Sequence, residues 1–466
     1  MIRRNQLTSN PDLIVISNDL GDYGFADDNP NSIASVSARI TALEQTPALS
    51  GLNAAILRTR KAFLLDGPSL HIFVITLRCD HSCGYCQVSR ASEDASGFDM
   101  SEADAMAALD TVFQSPSPYL TIEFQGGEPA LRFDLIRLIV EAAQRRNLVE
   151  NRSLSFALVS TLHRLTTEDL EFCRDHSIAI STSLDGPQAV HNANRPNGTR
   201  DSHQRTIESL ASARAILGAD CISALPTLTR AMLGDPKSLI DHYVEHGFRS
   251  IFLRPVSPYG FAIKTKKAIG YEMDGFLAFY RAALDYILEL NAKGITIEET
   301  NAAIMLRHIL TPFHSGYMDM RSPAGAGLGT LLYNYDGFVY PSDEARMAAR
   351  TGDKRFEMGA IGTSLDDLMA STAMQWLRTG AVAEELPKCR DCAFVPYCGA
   401  DPVHHAIVHG DPIGDRPNSD FCQRHLGMFD VLFAHLKNAE PTTARTFDAW
   451  AFKKGRGELW PRVRSA

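Results

Sequence analysis

The sequence has no long hydrophobic run, no recognisable secretion signal and no excess of positive charge. No apolar stretch approaches the ~18 residues that a membrane-spanning helix needs. The first residues carry charges without a following apolar segment, which argues against a signal peptide, so we expect a cytoplasmic protein. With 46 Lys and Arg against 55 Asp and Glu, the formal net charge is −9. This balance disfavours a general nucleic-acid binder but does not exclude a basic peptide partner.

Cysteine, by contrast, is frequent and unevenly placed. The 466-residue chain has nine cysteines, and a chain that is not secreted uses them for metal or redox chemistry rather than for disulfides. Seven fall into two groups, at 79–86 and 389–422, whereas Cys173 and Cys221 stand alone and are expected to be buried thiols. The length and the 45% hydrophobic content are typical of a globular protein with two or three domains.

The first cysteine group directly follows an apolar run, residues 70–77, that reads as a buried strand. Cys79, Cys83 and Cys86 have the spacing C-x3-C-x2-C, on a loop at the end of that strand, where α/β folds place their chemistry. Three thiolates cannot complete a tetrahedral zinc site alone, but they can hold three irons of a four-iron cluster. The fourth iron would then be open to a ligand. The alternative is a zinc knuckle with a distant fourth ligand.

An aromatic residue, Tyr85, stands directly before the last cysteine, and the loop thereby resembles the signature of the radical S-adenosylmethionine (SAM) enzymes. The resemblance implies that Cys79, Cys83 and Cys86 hold a [4Fe-4S] cluster whose open iron chelates the amino and carboxylate groups of SAM. An electron from the cluster then cleaves the sulfonium to a 5′-deoxyadenosyl radical. The resemblance also implies that Tyr85 packs near the adenine.

From about residue 68 to residue 300, strand and helix patterns alternate, which indicates a parallel sheet with crossover helices. Strands are predicted at 70–77, 119–124, 153–160, 177–184, 220–227 and 249–256. Helices are predicted at 101–114, 132–147, 166–175, 202–217, 235–247 and 271–292. The predicted fold class is therefore α/β, and six βα units agree with the partial (β/α)6, TIM-like barrel that the resemblance implies.

The second predicted strand ends in Gly126-Gly127-Glu128, followed by proline. Two consecutive glycines allow the backbone to approach a ligand closely. The segment resembles the G-G-E-P motif of the radical SAM family, which implies that Gly126, Gly127 and Glu128 bind the amino group of SAM. Taken alone, it would indicate only a tight turn.

The fourth predicted strand leads into a segment, 183–195, that resembles the S-L-D-G-P…H-x-x-x-R motif of peptide-modifying members. The resemblance implies that Ser183 contacts the ribose of SAM, that Arg195 reaches its carboxylate and that Asp185 belongs to the same site. The alternative for Asp185 is a turn residue before glycine. After the third strand, residues 160–161 are Ser-Thr where many relatives have Asn, so the ribose contact of that Asn is not expected here.

Residues 1–66 precede the barrel and carry no chemical motif. Apolar runs at 13–17 and 23–25 flank turn residues and predict a hairpin. Helical patterns follow at about 32–46 and 50–63. The arrangement loosely resembles the N-terminal recognition region of peptide-modifying radical enzymes, which could bind an extended leader peptide by strand addition. A small capping domain for the barrel is the alternative.

The second cysteine group comprises Cys389, Cys392, Cys398 and Cys422, after the composition shifts toward Gly and Pro. Four thiolates make a closed metal site, which can be an iron–sulfur cluster or zinc. The spacing C-x2-C-x5-C resembles the SPASM domain of peptide and sulfatase maturases, in which seven cysteines hold two auxiliary clusters.

Where the SPASM pattern has cysteines for the proximal cluster, this chain has Ser322 and Ser342, and Pro402 stands where another ligand is usual. The resemblance therefore implies one auxiliary [4Fe-4S] cluster, with zinc as the alternative metal. Asp343 matches the aspartate that acts as a substrate base in sulfatase maturases, and is otherwise a solvated turn residue. The histidines of the run 404–409 are expected to be exposed on a helix.

Three strings, beginning at Leu77, Ser322 and Pro341, most resemble the B-type radical SAM maturase of the His-Xaa-Ser peptide system. That resemblance implies hydrogen abstraction from a small ribosomal precursor peptide, with electrons from a flavodoxin- or ferredoxin-like donor. The alternatives are another protein-modifying activity, such as formylglycine formation, and a non-catalytic zinc-binding adaptor. The expected organisation is a recognition-like module, a radical SAM barrel, a SPASM-like domain and a tail, at 1–66, 67–312, 313–440 and 441–466.

Overall fold

The computed structural model describes residues 1–452, and its centre is an eight-stranded sheet that contains six parallel strands. Five of them, numbered here as barrel strands 1 to 5, are Leu70–Thr76, Tyr119–Gly126, Ser153–Val159, Ile178–Ser183 and Ile222–Leu225. Neighbours in the sheet are also neighbours in sequence. Barrel strand 1 is buried along nearly its whole length, whereas buried residues alternate with more exposed ones along strands 2 to 4; Phe73 and Ile122 are fully buried. The predicted α/β class with a partial barrel is confirmed.

The six helices that the periodicity predicts are present, with ends that differ by a few residues, whereas Gln188–Asn194, Ala262–Ile269 and Thr300–Leu310 were not predicted. The helices between strands 1 and 5 are Glu102–Val112, Phe133–Glu150, Thr167–Asp175, Gln188–Asn194 and Ser202–Leu217. Those after strand 5 are Pro236–Glu245, Ala262–Ile269, Met273–Ala292 and Thr300–Leu310. Side-chain hydroxyls fix several helix starts: Ser101 accepts from the Asp104 N–H at 3.0 Å, and Thr166 forms a capping box with Asp169.

The sixth predicted strand, 249–256, does not join the main sheet. It divides into Ser250–Ile251, which pairs with Glu298–Glu299, and Arg254–Pro255, which pairs with Thr227–Leu228. Proline has no N–H to donate to a ladder, and Pro255 ends the run. The buried Glu299 carboxylate accepts from the Leu253 N–H at 3.2 Å in place of a neighbouring strand. The sheet therefore ends at strand 5, and short parallel pairs continue the curvature.

The C-terminal half returns to the main sheet at its other edge. Thr330–Tyr333 pairs parallel with barrel strand 1, and Phe338–Tyr340 and Gly359–Ala360 follow it antiparallel. The turn between the first two is the predicted Asp-Gly bend, in which Gly337 has φ +88°. Because this strand lies beside strand 1, the residues after it reach the side of the barrel that carries the first cysteine group.

The N-terminal region forms a separate antiparallel sheet of three strands, Arg3–Leu7, Asn10–Ser17 and Tyr23–Asp27. The predicted hairpin is present, and two helices, Pro30–Gln45 and Pro47–Arg60, follow it. The sequence prediction missed Arg3–Leu7, because four of its five residues are polar and its buried ends are an arginine and a leucine. Tyr23 packs edge-on against Phe433, so this sheet rests on the C-terminal part of the chain.

The remaining helices belong to the C-terminal part of the chain: Asp343–Arg350, Leu365–Met369, Thr372–Arg378, Pro402–His409, Asp420–Lys437 and Pro441–Ala451. The last of these lies within the expected tail, of which residues 453–466 are outside the described residues. Within residues 1–452, no helix is both long and apolar enough to cross a membrane. Of the two isolated cysteines, Cys173 is buried as expected, whereas Cys221 is exposed in the loop before strand 5.

Candidate active site

The loop that carries the first cysteine group lies at the carboxyl end of barrel strand 1. Cys79 is buried, and Cys83 and Cys86 are half-buried. The loop is fixed to the segment after strand 4, because the Ser82 N–H donates to the Pro196 carbonyl at 2.8 Å and the Gly84 N–H to that of Asn194 at 3.0 Å. Two of the sequence motifs, the cysteine loop and segment 183–195, are thus in direct contact.

The donor set of this loop fits a cluster better than a single zinc ion. Zn–S bonds of ~2.3 Å would bring tetrahedrally placed sulfur atoms to ~3.8 Å from one another. Among the described residues, these three thiols do not form a group with all sulfur atoms within 4.8 Å. Burial raises the pKa of Cys83 to about 11 and that of Cys79 further, so both thiolates require a cationic ligand to form. A cluster in which each thiolate binds a different iron meets both conditions.

Gly126, the last residue of strand 2, and Gly127 allow the chain here to pack closely against the backbone at the end of strand 1. The sequence prediction assigned them to a close approach of ligand, but a Cβ atom at Gly126 would overlap the Thr76 carbonyl oxygen, and one at Gly127 that of Arg78. The Gly127 N–H donates to Thr76 at 2.8 Å, and the Glu128 N–H to Arg78 at 2.7 Å. The glycines thereby hold Glu128 directly beside the cysteine loop.

The Glu128 side chain is fully buried, and three neighbouring groups donate hydrogen bonds to it. Its carboxylate accepts from Ser160 Oγ at 2.8 Å, from the Thr161 N–H at 2.7 Å and from the Ala130 N–H at 3.1 Å. The residues that replace the relatives' Asn after strand 3 thus orient Glu128. A carboxylate has about four acceptor positions, so one remains for a ligand such as an ammonium group. Burial raises the pKa of Glu128 even with these donors.

Three of the predicted SAM-contact residues form one buried cluster. The Tyr85 hydroxyl donates to Asp185 Oδ2 at 2.7 Å, and Arg195 Nη1 donates to the Tyr85 oxygen at 2.9 Å. Asp185 also accepts from the Thr227 N–H at 3.1 Å. Asp185 is therefore the centre of this buried cluster. Ser183 lies next to it as the last residue of strand 4, where it is half-buried.

Sequence reasoning missed a polar chain that joins the cysteine loop to this cluster. His191 Nδ1 accepts from the Asp185 N–H at 3.2 Å, so the neutral ring carries its proton on Nε2. That proton is donated to Ser202 Oγ at 3.1 Å, and the Ser202 hydroxyl in turn donates to His81 Nε2 at 2.9 Å. His81 Nδ1–H then donates to Asp80 at 2.8 Å. The only sequence signal was the position of His81 and His191 inside the two motifs.

The four C-terminal cysteines converge around the start of helix Asp420–Lys437. Burial and the three neighbouring thiols, of Cys422, Cys389 and Cys392, raise the pKa of Cys398 well above its usual value. Ser419 caps the helix by accepting from the Cys422 N–H at 3.1 Å. As in the first group, no three of these sulfur atoms lie within 4.8 Å of one another in the described structure, which fits a cluster better than zinc.

The two serines at the positions of proximal-cluster cysteines have hydrogen-bonding roles of their own. Ser322 Oγ accepts from the Ala383 N–H at 3.0 Å and donates to Glu384, which also pairs with Lys61 at 2.7 Å. Ser342 caps helix Asp343–Arg350. Both side chains thus serve the protein's own structure at the positions where the SPASM pattern would use metal ligands.

Asp343 is half-buried at the first position of its helix. Arg346 of the same helix donates to the Val88 carbonyl at 2.9 Å, so the helix rests against the cysteine loop. The helix start also faces strand 2: burial raises the pKa of Glu123 on that strand, and the charge of Asp343 raises it further.

A cavity near Asp343 is lined by three half-buried acidic residues, Asp319, Glu344 and Asp401, together with the cations of Arg254 and Arg424. Burial raises the pKa of all three acids, and repulsion from neighbouring carboxylates, including that of Asp343, adds to this effect; the pKa of Asp401 is about 7. The cavity thus combines carboxyl groups, which can donate or accept hydrogen bonds, with two guanidinium groups.

The histidines of helix Pro402–His409 were expected to be exposed, and this prediction was wrong for two of them. His404 is 7% exposed and His405 is fully buried, because this face of the helix packs against Phe421. His404 Nδ1 hydrogen-bonds to the Tyr259 hydroxyl at 2.9 Å. Its Nε2 has no partner in the described structure, and the residue lines the acidic cavity.

Comparison with known proteins gives a family match for the part of the chain that carries the cysteine loop and segment 183–195. Residues 73–235 match the Radical SAM superfamily, a family that uses a [4Fe-4S] cluster and SAM. An uncharacterized protein of Methanothermobacter thermautotrophicus is 26% identical over 196 residues, which are 41% of this chain and 69% of that protein. One of Methanocaldococcus jannaschii is 27% identical over 123 residues, 26% of this chain and 41% of that protein.

Solved structures resemble the chain over most of its length. The native anSMEcpe with bound AdoMet has a TM-score of 0.65 at 16% identity and covers 79% of this chain and 98% of its own. SuiB of Streptococcus suis, bound to the precursor peptide SuiA, has a TM-score of 0.56 at 14% identity over 90% of this chain and 98% of its own. At these identities the likeness establishes the fold, including its C-terminal part.

Proposed function

We propose that this protein is a radical SAM enzyme that modifies residues of a small ribosomally made peptide of the His-Xaa-Ser type. The observation that carries the proposal is the position of Asp343. The strand Thr330–Tyr333 returns beside barrel strand 1, and the helix that follows brings a carboxylate to the cysteine loop and to the end of strand 2. A base at this point would serve a substrate that lies across the carboxyl ends of the barrel strands.

The residues around the cysteine loop would each contact a different part of SAM. When bound, the cluster and SAM would supply the radical that removes a hydrogen atom from the substrate. Glu128 would accept from the amino group of SAM, and Arg195, held by Tyr85, would donate to its carboxylate. Ser183, at the end of strand 4, would contact the ribose. The burial of these groups excludes water, which strengthens each charged contact.

The substrate itself would lie between the barrel and the C-terminal domain. Asp343 would take up the proton that the modified residue loses, and the carboxylates and His404 Nε2 of the adjoining cavity would bind a polar or cationic side chain. An auxiliary cluster held by Cys389, Cys392, Cys398 and Cys422 would accept the second electron of an oxidation. A peptide substrate is supported by SuiB, a protein of similar fold whose structure was solved with its precursor peptide SuiA bound.

The N-terminal sheet is proposed to bind the leader segment of the peptide by strand addition. Its order places Tyr23–Asp27 at one edge, with no strand beyond it among residues 1–452. An edge strand offers unpaired N–H and C=O groups to an extended peptide. The sheet is anchored on the auxiliary-cluster loop, because Ser17 Oγ donates to the Ala393 carbonyl at 2.5 Å and the Tyr397 hydroxyl to that of Gly21 at 2.7 Å.

The proposal is tested with anaerobically reconstituted, reduced protein. It should convert SAM to 5′-deoxyadenosine and methionine, and it should change the mass of a synthetic precursor with His-Xaa-Ser repeats, taken from a small open reading frame beside the gene. Replacement of Cys79, Cys83 and Cys86 by Ala should abolish both reactions, whereas Cys221→Ala, which removes an exposed and isolated thiol, should leave them unchanged.

Iron and zinc analysis of the same samples separates the alternatives. Three plus four cysteine ligands predict two four-iron clusters and about eight irons per chain. About four irons together with one zinc bound through sulfur would make the C-terminal site a zinc site, and sulfur-bound zinc without iron would favour the non-catalytic adaptor. SAM cleavage that survives the triple substitution would refute the assignment of the radical site. Formylglycine in a sulfatase peptide, without any change in the His-Xaa-Ser peptide, would favour the other maturase activity.

A further inference from the structure

Three histidines meet on the outside of the barrel, away from both cysteine groups. His203, His242 and His246 each have a ring nitrogen within 4.8 Å of a nitrogen of the other two. The Nε2 atoms of His203 and His242 are 3.0 Å apart. The ring of His246 lies 4.4 Å from that of His242, centroid to centroid, and 6.3 Å from that of His203. No sequence motif pointed to this cluster.

Two helix ends bring the three rings together. His242 lies in the last turn of helix Pro236–Glu245 and His246 is its C-cap, so that both rings lie on one face at a spacing of four residues. His203 is in the first turn of helix Ser202–Leu217, and its N–H donates to Asn192 Oδ1 at 2.8 Å. Since helices fix all three backbones, the rings can meet without ordering a flexible loop.

The charge state of the cluster suits a metal ion. Burial lowers the pKa of all three histidines, and repulsion from His246 contributes for His203 and His242; the pKa of His242 is about 4. The rings are therefore neutral at pH 7, and each nitrogen that carries no proton has a lone pair. Two Nε2 atoms 3.0 Å apart can share one proton at most, so a cation that both can bind is the alternative occupant.

The geometry points to a divalent transition metal. We propose that His203, His242 and His246 bind one zinc-class ion, separate from the iron–sulfur sites. Imidazole suits zinc, copper and nickel but not calcium or magnesium. Zn–N bonds of ~2.0–2.1 Å place tetrahedral nitrogen ligands ~3.3 Å apart, which small rotations of these rings provide. Three protein ligands leave one coordination position for water, whereas structural zinc sites use four protein ligands.

The site would couple two barrel helices to the cysteine loop. Ser202 directly precedes His203, and its hydroxyl lies between His81 and His191. A metal ion on His203 would fix the first turn of this helix and thereby the hydroxyl. The ion would act by holding the start of this helix in place, since His203 and Ser202 are neighbours in the chain. The metal ligands themselves do not touch the cysteines in the described structure.

The test uses the full chain with its clusters reconstituted. The protein is equilibrated with zinc, passed through a desalting column, and analysed for zinc per chain and by X-ray absorption at the zinc edge. We expect one zinc with nitrogen or oxygen ligands at ~2.0 Å and no sulfur at ~2.3 Å. His246→Ala should weaken zinc binding by more than ~100-fold, since loss of an outer-shell group alone costs 10–100-fold.

His176→Ala is the matched control, because His176 is also half-buried and also caps the C-terminal end of a barrel helix. It should retain the zinc. His242→Ala, at a more buried position, gives a second independent loss. The proposal would be overturned if all the zinc found were bound by sulfur. It would also be overturned if nitrogen-bound zinc survived both substitutions. SAM cleavage measured on the same samples reports on the proposed function independently.

Discussion

Replacement of Glu128 by Gln is the sharpest test of the SAM site, because the surroundings of this carboxylate fix what an amide can do there. Oε1 accepts from the Ala130 N–H and Ser160 Oγ, and Oε2 accepts from the Thr161 N–H. A serine hydroxyl can turn and accept from the new NH2 group, but a backbone N–H cannot. In either orientation of the amide, one buried N–H therefore loses its acceptor.

This loss should cost about 1–3 kcal/mol of folding free energy, the penalty for a buried donor without a partner. The effect on SAM is separate. A hydrogen bond from the amino group of SAM to an ionised carboxylate contributes about 1.5–3 kcal/mol. Its loss should weaken SAM binding about 10- to 150-fold. Since the pKa of Glu128 is raised by burial, binding to the parent enzyme should weaken as the pH falls through that pKa. The Gln variant should lack this pH dependence.

The assay is equilibrium binding of SAM to the reconstituted, oxidised protein between pH 5.5 and pH 8, together with thermal unfolding and iron content. Glu123→Gln is the matched control, because Glu123 lies on the same strand, close to Asp343. It should leave SAM affinity unchanged. An affinity of Glu128→Gln within threefold of the parent, in folded protein with full iron content, would refute the role of Glu128.

Two further predictions concern the substrate. Asp343→Asn should retain SAM cleavage but form at least ~100-fold less peptide product, since a general base contributes about 10²–10⁴ to the rate. The control Asp336→Asn, in the preceding turn, should retain SAM cleavage and product formation, and equal product yields of Asp343→Asn and the parent by mass spectrometry would exclude a base at 343. Single prolines at alternate positions of the edge strand Tyr23–Asp27, where N–H groups point away from the sheet, should abolish peptide binding and spare SAM cleavage; unchanged binding throughout the scan would exclude strand addition.

A simple deletion of the N-terminal residues would not show whether the N-terminal sheet binds the peptide by strand addition. Leu7, Leu13 and Val15 are buried in the same apolar core as the barrel, and Phe433 packs against both Tyr23 and Phe25. Removal of residues 1–66 would expose this surface, so the truncated chain should lose stability whichever role the sheet has. Single prolines at the free edge leave the buried face in place.

The barrel could be predicted from the sequence because each of its signals is local. A run such as Leu70–Thr76 is largely apolar, and a serine or threonine marks the start of several helices. The prediction of one continuous strand at 249–256 was wrong, because the Leu253 N–H, between its two short strands, donates to the Glu299 carboxylate. No pattern within the run reveals a carboxylate that lies more than 40 residues further along the chain.

The candidate site divides in the same way. The cysteines and the Gly-Gly-Glu segment were found because their spacing is short. The burial of His404 and His405, and the meeting of His203 with His242 and His246, depend on how separate helices pack. Such convergence leaves no periodicity in the sequence. Single histidines in helices are usually exposed, and this expectation misled the interpretation of the C-terminal run.

Ser202 shows how the separate parts of the site depend on one another. Its hydroxyl has one proton and must donate it to His81, because His191 can only donate to Ser202 from Nε2. The direction of every proton in the chain from Asp185 to Asp80 is therefore set by one backbone N–H. With Ala at 202, His81 Nε2 would lose its donor and His191 Nε2 its acceptor, while the ionised Asp80 would keep the His81 proton on Nδ1. The cysteine loop would then lose an anchor that no cysteine supplies, so the geometry of the cluster site depends on a helix start that lies more than 100 residues away in the chain.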